Sequence, residues 1–395
     1  MTKKNKHIIW NIILIISIIF ALISIGFLTS RFLSNNAAEE SQPAETEVAA
    51  PTEPQRYEII DSFDSAVTAQ ISESYDAARE VKKIFWIPDD AEIAPKPNES
   101  CYGQTDDPAS LGWLLEKATG LLDGQELVFS TGTEIFPNST ITYYLDESIF
   151  VITWQEVYEK YCYTFSEVKI SHPSQFRRYL AGNEYDSDYA HSVSRMCNMT
   201  NAVLASSADF YRGRNHGIIV YQGEVKRTDH SDLVDTCFID KDGNLILVPA
   251  GEITDMDAAQ AFVDENNIDF SIAFGPILVN NGERCEPDMY YLGEIHKNYP
   301  RAALCQKDDL HYVLVFCNRK TGNYAKSPTI RTFTDRIEAL NCKMAYTLDG
   351  GKTGTVSMRG KHLNSLNDSE RWISDIIYFA TAIPSPEVIP ESTSP

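Results

Sequence analysis

The sequence contains no Cys-x-x-Cys pair, no His-Glu-x-x-His and no Cys/His ladder at zinc spacing. No structural metal is therefore expected. Basic residues are scarce: 34 Lys and Arg face 56 Asp and Glu, for a formal net charge of -22. A chain so acidic, without a basic stripe, is not built to bind nucleic acid, nor to dock broadly on anionic polymers. An anionic ligand would need a local cluster of Arg or Lys. No internal repeat is visible. No Cys follows the first apolar run closely, which argues against a lipid-modified N-terminus.

That apolar run is the only long one. From Ile8 to Leu28 only Asn11, Ser17 and Ser24 interrupt bulky apolar residues, and about 20 such residues span a bilayer core as a helix. Lys3, Lys4 and Lys6 precede it and Glu39 and Glu40 follow. The bias of Lys and Arg toward the cytoplasm then predicts a single-pass cell-membrane anchor with the N-terminus inside and the body outside. A cleaved signal peptide is the competing reading. Its apolar region is usually about 7 to 15 residues, and the small residues Ala37 and Ala38 lie late for a cleavage site.

Residues 1–33 are thus read as a cytoplasmic stub and anchor, and 34–56, poor in anything large to bury, as a disordered linker. Ile60, Phe63, Val67, Ile71, Tyr75, Ala78 and Val81 recur at helical spacing, predicting a stalk helix. A second helix is expected over Ala109–Leu122, with Pro108 at its start and Gly124 beyond its end. Residues 57–125 are read as a helical N-terminal addition, 126–383 as the main domain and 384–395, Pro-rich, as a loose tail. From Gln125 onward short β-type runs alternate with turns: Thr140–Trp154, Thr164–Ile170, Ala202–Phe210, Gly217–Tyr221, Leu245–Val248, Ile272–Val279, His311–Phe316 and Met344–Leu348. Helices are expected at Asp255–Glu265 and Ile330–Leu340. Without regular βαβ spacing, this mixture predicts an α+β domain on a mixed sheet.

Several signals are read as structural. Asp240-Lys-Asp-Gly-Asn244 resembles the start of a calcium loop but lies between two β-type runs and lacks a Glu at the twelfth position, so a hairpin turn is expected. Asn98, Asn138, Asn198 and Asn367 begin N-x-Ser/Thr triplets, which matter only if the source glycosylates exported proteins. Glu294 and His296 alternate on a possible strand, and two ligands make a polar rim rather than a metal site. The eight cysteines are compatible with disulfides or with buried thiols, and the sequence does not choose.

Other segments place chemistry-bearing residues against apolar chain. Asn201–Tyr211 is a small-residue strand ending in Asp209, which must be either paired or placed to act. Phe270–Gly282 carries a Gly-Pro break and the turn residues Asn281 and Gly282. In Tyr299–Ala303, Arg301 enters an apolar run. In Ala345–Ser357 a strand delivers Asp349 into Gly350 and Gly351, followed by Lys352, Thr353 and Thr355. Glycines there allow a ligand to approach the backbone, and freed amides with Thr hydroxyls suit an anion.

Ser207-Ala-Asp-Phe-Tyr211, Phe274-Gly-Pro-Ile-Leu278, Pro300-Arg301, Leu348-Asp-Gly-Gly351 and Glu370-Arg-Trp-Ile-Ser-Asp375, in that order, resemble successive signatures of the phosphodiester glycosidase family. The resemblance runs from about Tyr163 to Ile383. It departs at Ala208, where the family often has glycine, and at Lys352-Thr353, where Gly-Ser is frequent; Thr353 keeps the hydroxyl and Lys352 adds charge.

The resemblance implies hydrolysis of a sugar-1-phosphodiester in a cell-envelope glycan. Glycoside hydrolysis ordinarily uses two carboxyls, but phosphate is already a weakly basic leaving group, so a cationic clamp should count for more. Arg301 and Arg371, with Lys352 behind them, are the expected clamp. Asp209 and Asp349 are the candidate base, nucleophile or stabiliser. Gly350, Gly351, Lys352, Thr353, Thr355 and Asn281 are the candidate substrate contacts. Asp375 is expected to be a structural partner of an arginine. No cofactor is expected; the carboxylates could serve either a divalent cation or the sugar, and no cation is indicated. Two alternatives stand beside this reading: a non-catalytic polysaccharide-binding or assembly protein on the same fold, and a phosphodiesterase cleaving P–O.

Overall fold

The computed structural model describes residues 94–287, 297–317, 327–364 and 369–384. Its largest element is a nine-stranded antiparallel sheet. In spatial order the strands are β1 (Tyr102–Thr105), β2 (Ile141–Leu145), β3 (Ile149–Tyr158), β4 (Tyr161–Ile170), β15 (His311–Cys317), β14 (Arg301–Asp308), β16 (Met344–Leu348), β12 (Ile277–Asn280) and β13 (Glu283–Arg284). Every residue of β4 and β15 is buried, so this sheet is covered on both faces. The strand period of two sends Val151, Val168, Leu314 and Leu304 into one core and Ile152, Phe165, Val315 and Ala303 into another.

The second of these cores is closed by helices. α1 (Gly112–Leu122) contributes Leu114 and Ala118, and α4 (Ile330–Glu338) contributes Phe333 and Ile337. The first is closed by a five-stranded sheet ordered β18 (Lys361–His362), β17 (Val356–Met358), β6 (Leu204–Ser207), β19 (Asp375–Phe379), β5 (Phe176–Leu180). From it Phe176, Leu204, Val356, Ile377 and Phe379 enter the shared core. A three-stranded sheet, β10 (Leu245–Val248), β9 (Thr236–Asp240) and β11 (Ile268–Ile272), carries α3 (Met256–Glu265), and β7 (Ile219–Tyr221) pairs with β8 (Glu224–Arg227). α2 (Val193–Met199) packs on β6 and β17. Sheet-dominated α+β architecture is what the sequence led one to expect.

Local chemistry decides where elements stop. Thr140–Trp154 reads as one strand but is a hairpin, because Asp146 accepts from the amides of Ser148 (2.7 Å) and Ile149 (3.0 Å) and from the Tyr144 hydroxyl (2.7 Å). Ile272–Val279 likewise splits: Gly275 takes φ +67°, and Pro276 has no amide for a ladder. At Asp240–Asn244 the Asp240 carboxylate accepts from the amides of Asp242 and Asn244, closing the β9–β10 hairpin. Asp107 and Asp255 cap the helical turns that follow them.

Strands from either side of residue 125 lie in the same sheet. β1 is hydrogen-bonded along its length to β2. Just after residue 125, the buried Glu167 accepts from the amides of Val128 (2.7 Å) and Phe129 (2.9 Å) and contacts His311 Nε2 (2.8 Å). All eight cysteines are free thiols, and only Cys285 is less than fully buried. Among the described residues no helix is long and apolar enough to cross a membrane. The expected anchor at Ile8–Leu28, the stalk helix from Ile60 to Val81, and Glu294 and His296 lie outside the described residues.

Candidate functional site

β14 and β16 run antiparallel with Ala302 opposite Leu348. That register brings the first residue of β14, Arg301, beside the chain leaving β16 at Asp349. The glycine turn then folds over Pro300: the Gly351 amide donates to the Pro300 carbonyl (3.0 Å), while the Thr353 and Gly354 amides return to the Gly350 carbonyl (3.0 and 2.9 Å). A Cβ on Gly350 would stand 2.5 Å from that Pro300 oxygen and 3.1 Å from Arg301 Cα, so only glycine permits this approach. Gly351 sits at φ +60°.

The turn forms one wall of a cleft of about 580 Å³. Phe210, Arg214 and His216 come from the loop after β6, Phe274 and Gly275 from the break between β11 and β12, Tyr299 to Arg301 from the start of β14, and Arg371 from the segment before β19. Lys352 and Thr353 complete the rim. Among the described lining residues, four cationic side chains, Arg214, Arg301, Lys352 and Arg371, thus surround one carboxylate, Asp349. In a chain of net charge -22 this is a local reversal of sign.

Asp349 is half-buried, with its Oδ2 out of solvent and without a hydrogen-bond partner. Burial pushes its carboxyl up to about 7, against the pull of the Thr353 hydrogen bond and the charges of Arg214 and Arg371. Arg301 is buried; desolvation lowers it to about 10, and its Nη2 donates to the Lys297 carbonyl (2.6 Å). Arg371 lies 5.2 Å over the Phe210 ring, and Arg214 lies 4.5 Å over the Phe274 ring while donating to the Phe274 carbonyl (3.0 Å). Stacking presents both guanidinium groups at the cleft with their orientation restricted. His216 is lowered from its ordinary value, first by burial and then by His230 and Arg214, so its imidazole is neutral at pH 7.

The other expected site residues are placed elsewhere. Asp209 does not line the cleft. It is buried, its Oδ1 accepts from the Tyr211 amide (2.8 Å), and its Oδ2 accepts from the Ala273 amide (3.0 Å) and from Arg178 (3.0 Å). The same Arg178 Nη2 reaches Asp375 at 2.7 Å, so one guanidinium bridges two carboxylates, all three side chains fully buried. Asp375 is therefore the arginine partner it was expected to be, and Asp209 joins it. Thr355 is buried in the β6–β17 pairing, its amide on Ser207 Oγ (3.3 Å). Asn281 takes φ +52° in the β12–β13 turn, at the end of β12 opposite the Gly-Pro break; neither it nor Thr355 lines the cleft.

Arg214, His216 and Arg178 were not among the sequence candidates. The first two had a signal: Arg212-Gly-Arg-Asn-His216 is a basic cluster in an acidic chain, directly after the Asp209 motif. Arg177-Arg178 inside the apolar Phe176–Leu180 is the same anomaly that singled out Arg301. The loop bearing Arg214 and His216 is tied by buried Arg227, which donates to the carbonyls of Tyr211 (2.7 Å), Arg214 (3.3 Å) and His216 (2.9 Å).

Residues 200–380 match the phosphodiester glycosidase family model. The resemblance read from the ordered motifs is thereby shown. The matched phosphodiester glycosidase segment holds every described lining residue of the cleft. None of the curated proteins matches the chain. Among solved structures, the catalytic domain of zebrafish N-acetylglucosamine-1-phosphodiester alpha-N-acetylglucosaminidase, auto-inhibited by its pro-peptide, is 16% identical, with 66% of this chain and 92% of that one covered at a TM-score of 0.46. A hypothetical protein from Synechocystis is 11% identical over 63% of this chain, which spans 64% of that protein, at a TM-score of 0.44. A putative exported protein from Burkholderia pseudomallei is 12% identical, covering 56% and 74%, at 0.35.

Proposed function

We propose that this protein hydrolyses a sugar-1-phosphodiester, breaking the bond between the anomeric carbon and the bridging oxygen. The observation that carries the reading is the cleft's charge: among the described residues, four cationic side chains stand around one half-buried carboxylate. A phosphodiester monoanion enters such a site against the repulsion of the rest of the surface only because the charge is reversed locally. Arg301, Arg214 and Arg371 hold the phosphate oxygens, with Lys352 at the rim.

Bond breaking leaves electron density on the bridging oxygen, which departs as part of a phosphomonoester. That group is stable as an anion, so the clamp stabilises it without a proton donor. What the sugar carbon still needs is a nucleophile. Ionised Asp349 serves it, by deprotonating a water that attacks the carbon, or by attacking the carbon itself to form a glycosyl ester that water then hydrolyses, freeing the sugar and the carboxylate. A pair of carboxyls, usual for alcohol leaving groups, is not required. We further propose that Ile8–Leu28 tethers the domain outside a cell membrane, so that the glycan lies in the envelope.

The test is hydrolysis of a methyl-esterified hexosamine 1-phosphate in oxygen-18 water. Label in the released sugar is expected. Label in the phosphate instead would replace this reading with P–O cleavage, and no turnover of this or related diesters would leave a non-catalytic binding protein.

A further inference from the structure

The two most exposed large apolar side chains among the described residues are Trp372, which follows the cleft-lining Arg371, and Tyr189. Trp372 is 67% exposed and Tyr189 is 63% exposed. Large aromatic surface left in water in this way marks a contact surface rather than core. These two are joined by His191: its ring lies 6.5 Å from that of Tyr189 and 6.2 Å from that of Trp372. At the Trp372 end the next residue is Arg371, stacked on Phe210 in the cleft wall. The three rings form a row, tilted by 32° and 58° from one to the next, whose Trp372 end adjoins the cleft wall in sequence.

Trp372 and Tyr189 are exposed, His191 between them is half-buried, and the backbone beneath is tied down. His191 and Ile373 exchange both amide–carbonyl hydrogen bonds (3.0 and 2.9 Å). Glu370 accepts from the Ser194 amide at the start of α2 (3.0 Å). Tyr189 lies against Gly182, where a Cβ would stand 2.6 Å from its ring. Flat, amphipathic rings on a rigid base lose little entropy when they bind.

We propose that Tyr189, His191 and Trp372 form a stacking platform for sugar rings of the glycan whose phosphodiester occupies the cleft, so that the substrate is a polymer rather than a small diester. This rests on the proposed function of the cleft. Sugar rings fit because they present flat apolar C–H faces to an aromatic ring and hydroxyl edges to water, which matches a one-sided, solvent-open line of rings. Continuity with Arg371 places the occupant in the same chain as the scissile phosphate. A lipid surface would need a broader apolar patch, and the anionic kind would be repelled by the net charge of -22.

The experiment uses the full chain with two probes. Neutral hexose and N-acetylhexosamine oligomers of increasing length report binding by tryptophan fluorescence and calorimetry, and a methyl-esterified hexosamine 1-phosphate reports chemistry. At least one oligomer series is expected to bind more tightly with length. Trp372→Ala should weaken that binding at least tenfold and Tyr189→Ala severalfold, both with unchanged melting temperature. No oligomer binding, or equal binding by wild type and Trp372→Ala, overturns the platform, as does Trp372-dependent sedimentation with lipid vesicles. Failure of wild type to cleave the diester while oligomers bind through Trp372 overturns the proposed hydrolysis and leaves the platform standing.

Discussion

Asp349→Asn separates stability from chemistry in a single substitution. Burial raises the Asp349 carboxyl from an ordinary 3.8 to about 7, so the folded protein holds a proton that the unfolded chain has released. Between these values the native state binds more protons, and stability falls as pH rises; below 3.8 both states are protonated and above about 7 both are ionised. At about 1.4 kcal/mol per pH unit the gap sets a ceiling of about 4 kcal/mol on the cost of keeping the charge in place. The carboxyl faces a solvent-filled cleft on one side, which reduces the realised cost to roughly 1–2 kcal/mol. Asparagine keeps the shape and removes the charge. At pH 8 the variant is therefore expected to melt about 3–6 °C higher than wild type, with the advantage shrinking toward zero as pH falls to about 4. Its turnover of a sugar phosphodiester is expected to fall at least a thousandfold. Wild-type kcat/KM should rise with pH through about 7, as the nucleophile or base ionises. Melting curves across pH and a rate assay decide the matter. A variant that is inactive but no more stable at pH 8 than at pH 4, relative to wild type, refutes the buried-charge account. A variant that is active refutes the role.

Arg301→Ala is expected to reduce kcat/KM on phosphodiesters at least a hundredfold while changing any activity on plain aryl glycosides far less; equal losses on both would remove the clamp. Gly350→Ala places a Cβ 2.5 Å from the Pro300 carbonyl, so the turn must shift: a loss of about 1–3 kcal/mol is expected, with activity falling more than tenfold as Asp349 and Arg301 move apart. Unchanged activity would show that the turn does not set the site. Arg178→Met leaves Asp209 and Asp375 buried against each other and should cost about 3–5 kcal/mol in denaturant unfolding. A loss below 1 kcal/mol would mean that the pair relaxes by taking up protons.

Much of the fold was legible because its signals are local. Leu245–Val248 and Met344–Leu348 are apolar runs bounded by turn residues and form strands at those limits. Asp255 before Met256 and Thr329 before Ile330 announce helix starts by side chains that cap them. What local patterns do not carry is pairing across long separations. β1 joins the sheet through β2, and Arg301 meets Asp349 through a β14–β16 register. Asp209 shows the consequence for the site. Its sequence context, a carboxylate ending a small-residue strand, is the same for a catalyst and for a buried ion pair. The deciding partner, Arg178, lies on a strand 31 residues away.

The burial of Asp209 bears on mechanism as well as on assignment. With it held out of the cleft, Asp349 is the carboxylate left among the described lining residues, beside the cationic side chains of Arg214, Arg301, Lys352 and Arg371. Under the proposed reaction those cations stabilise a departing phosphate directly, whereas an alkoxide would in addition demand a proton. The proposed preference for phosphodiesters over ordinary glycosides therefore rests on that cationic lining. What holds Asp209 in the core, away from that lining, is the fully buried Arg178 bridge.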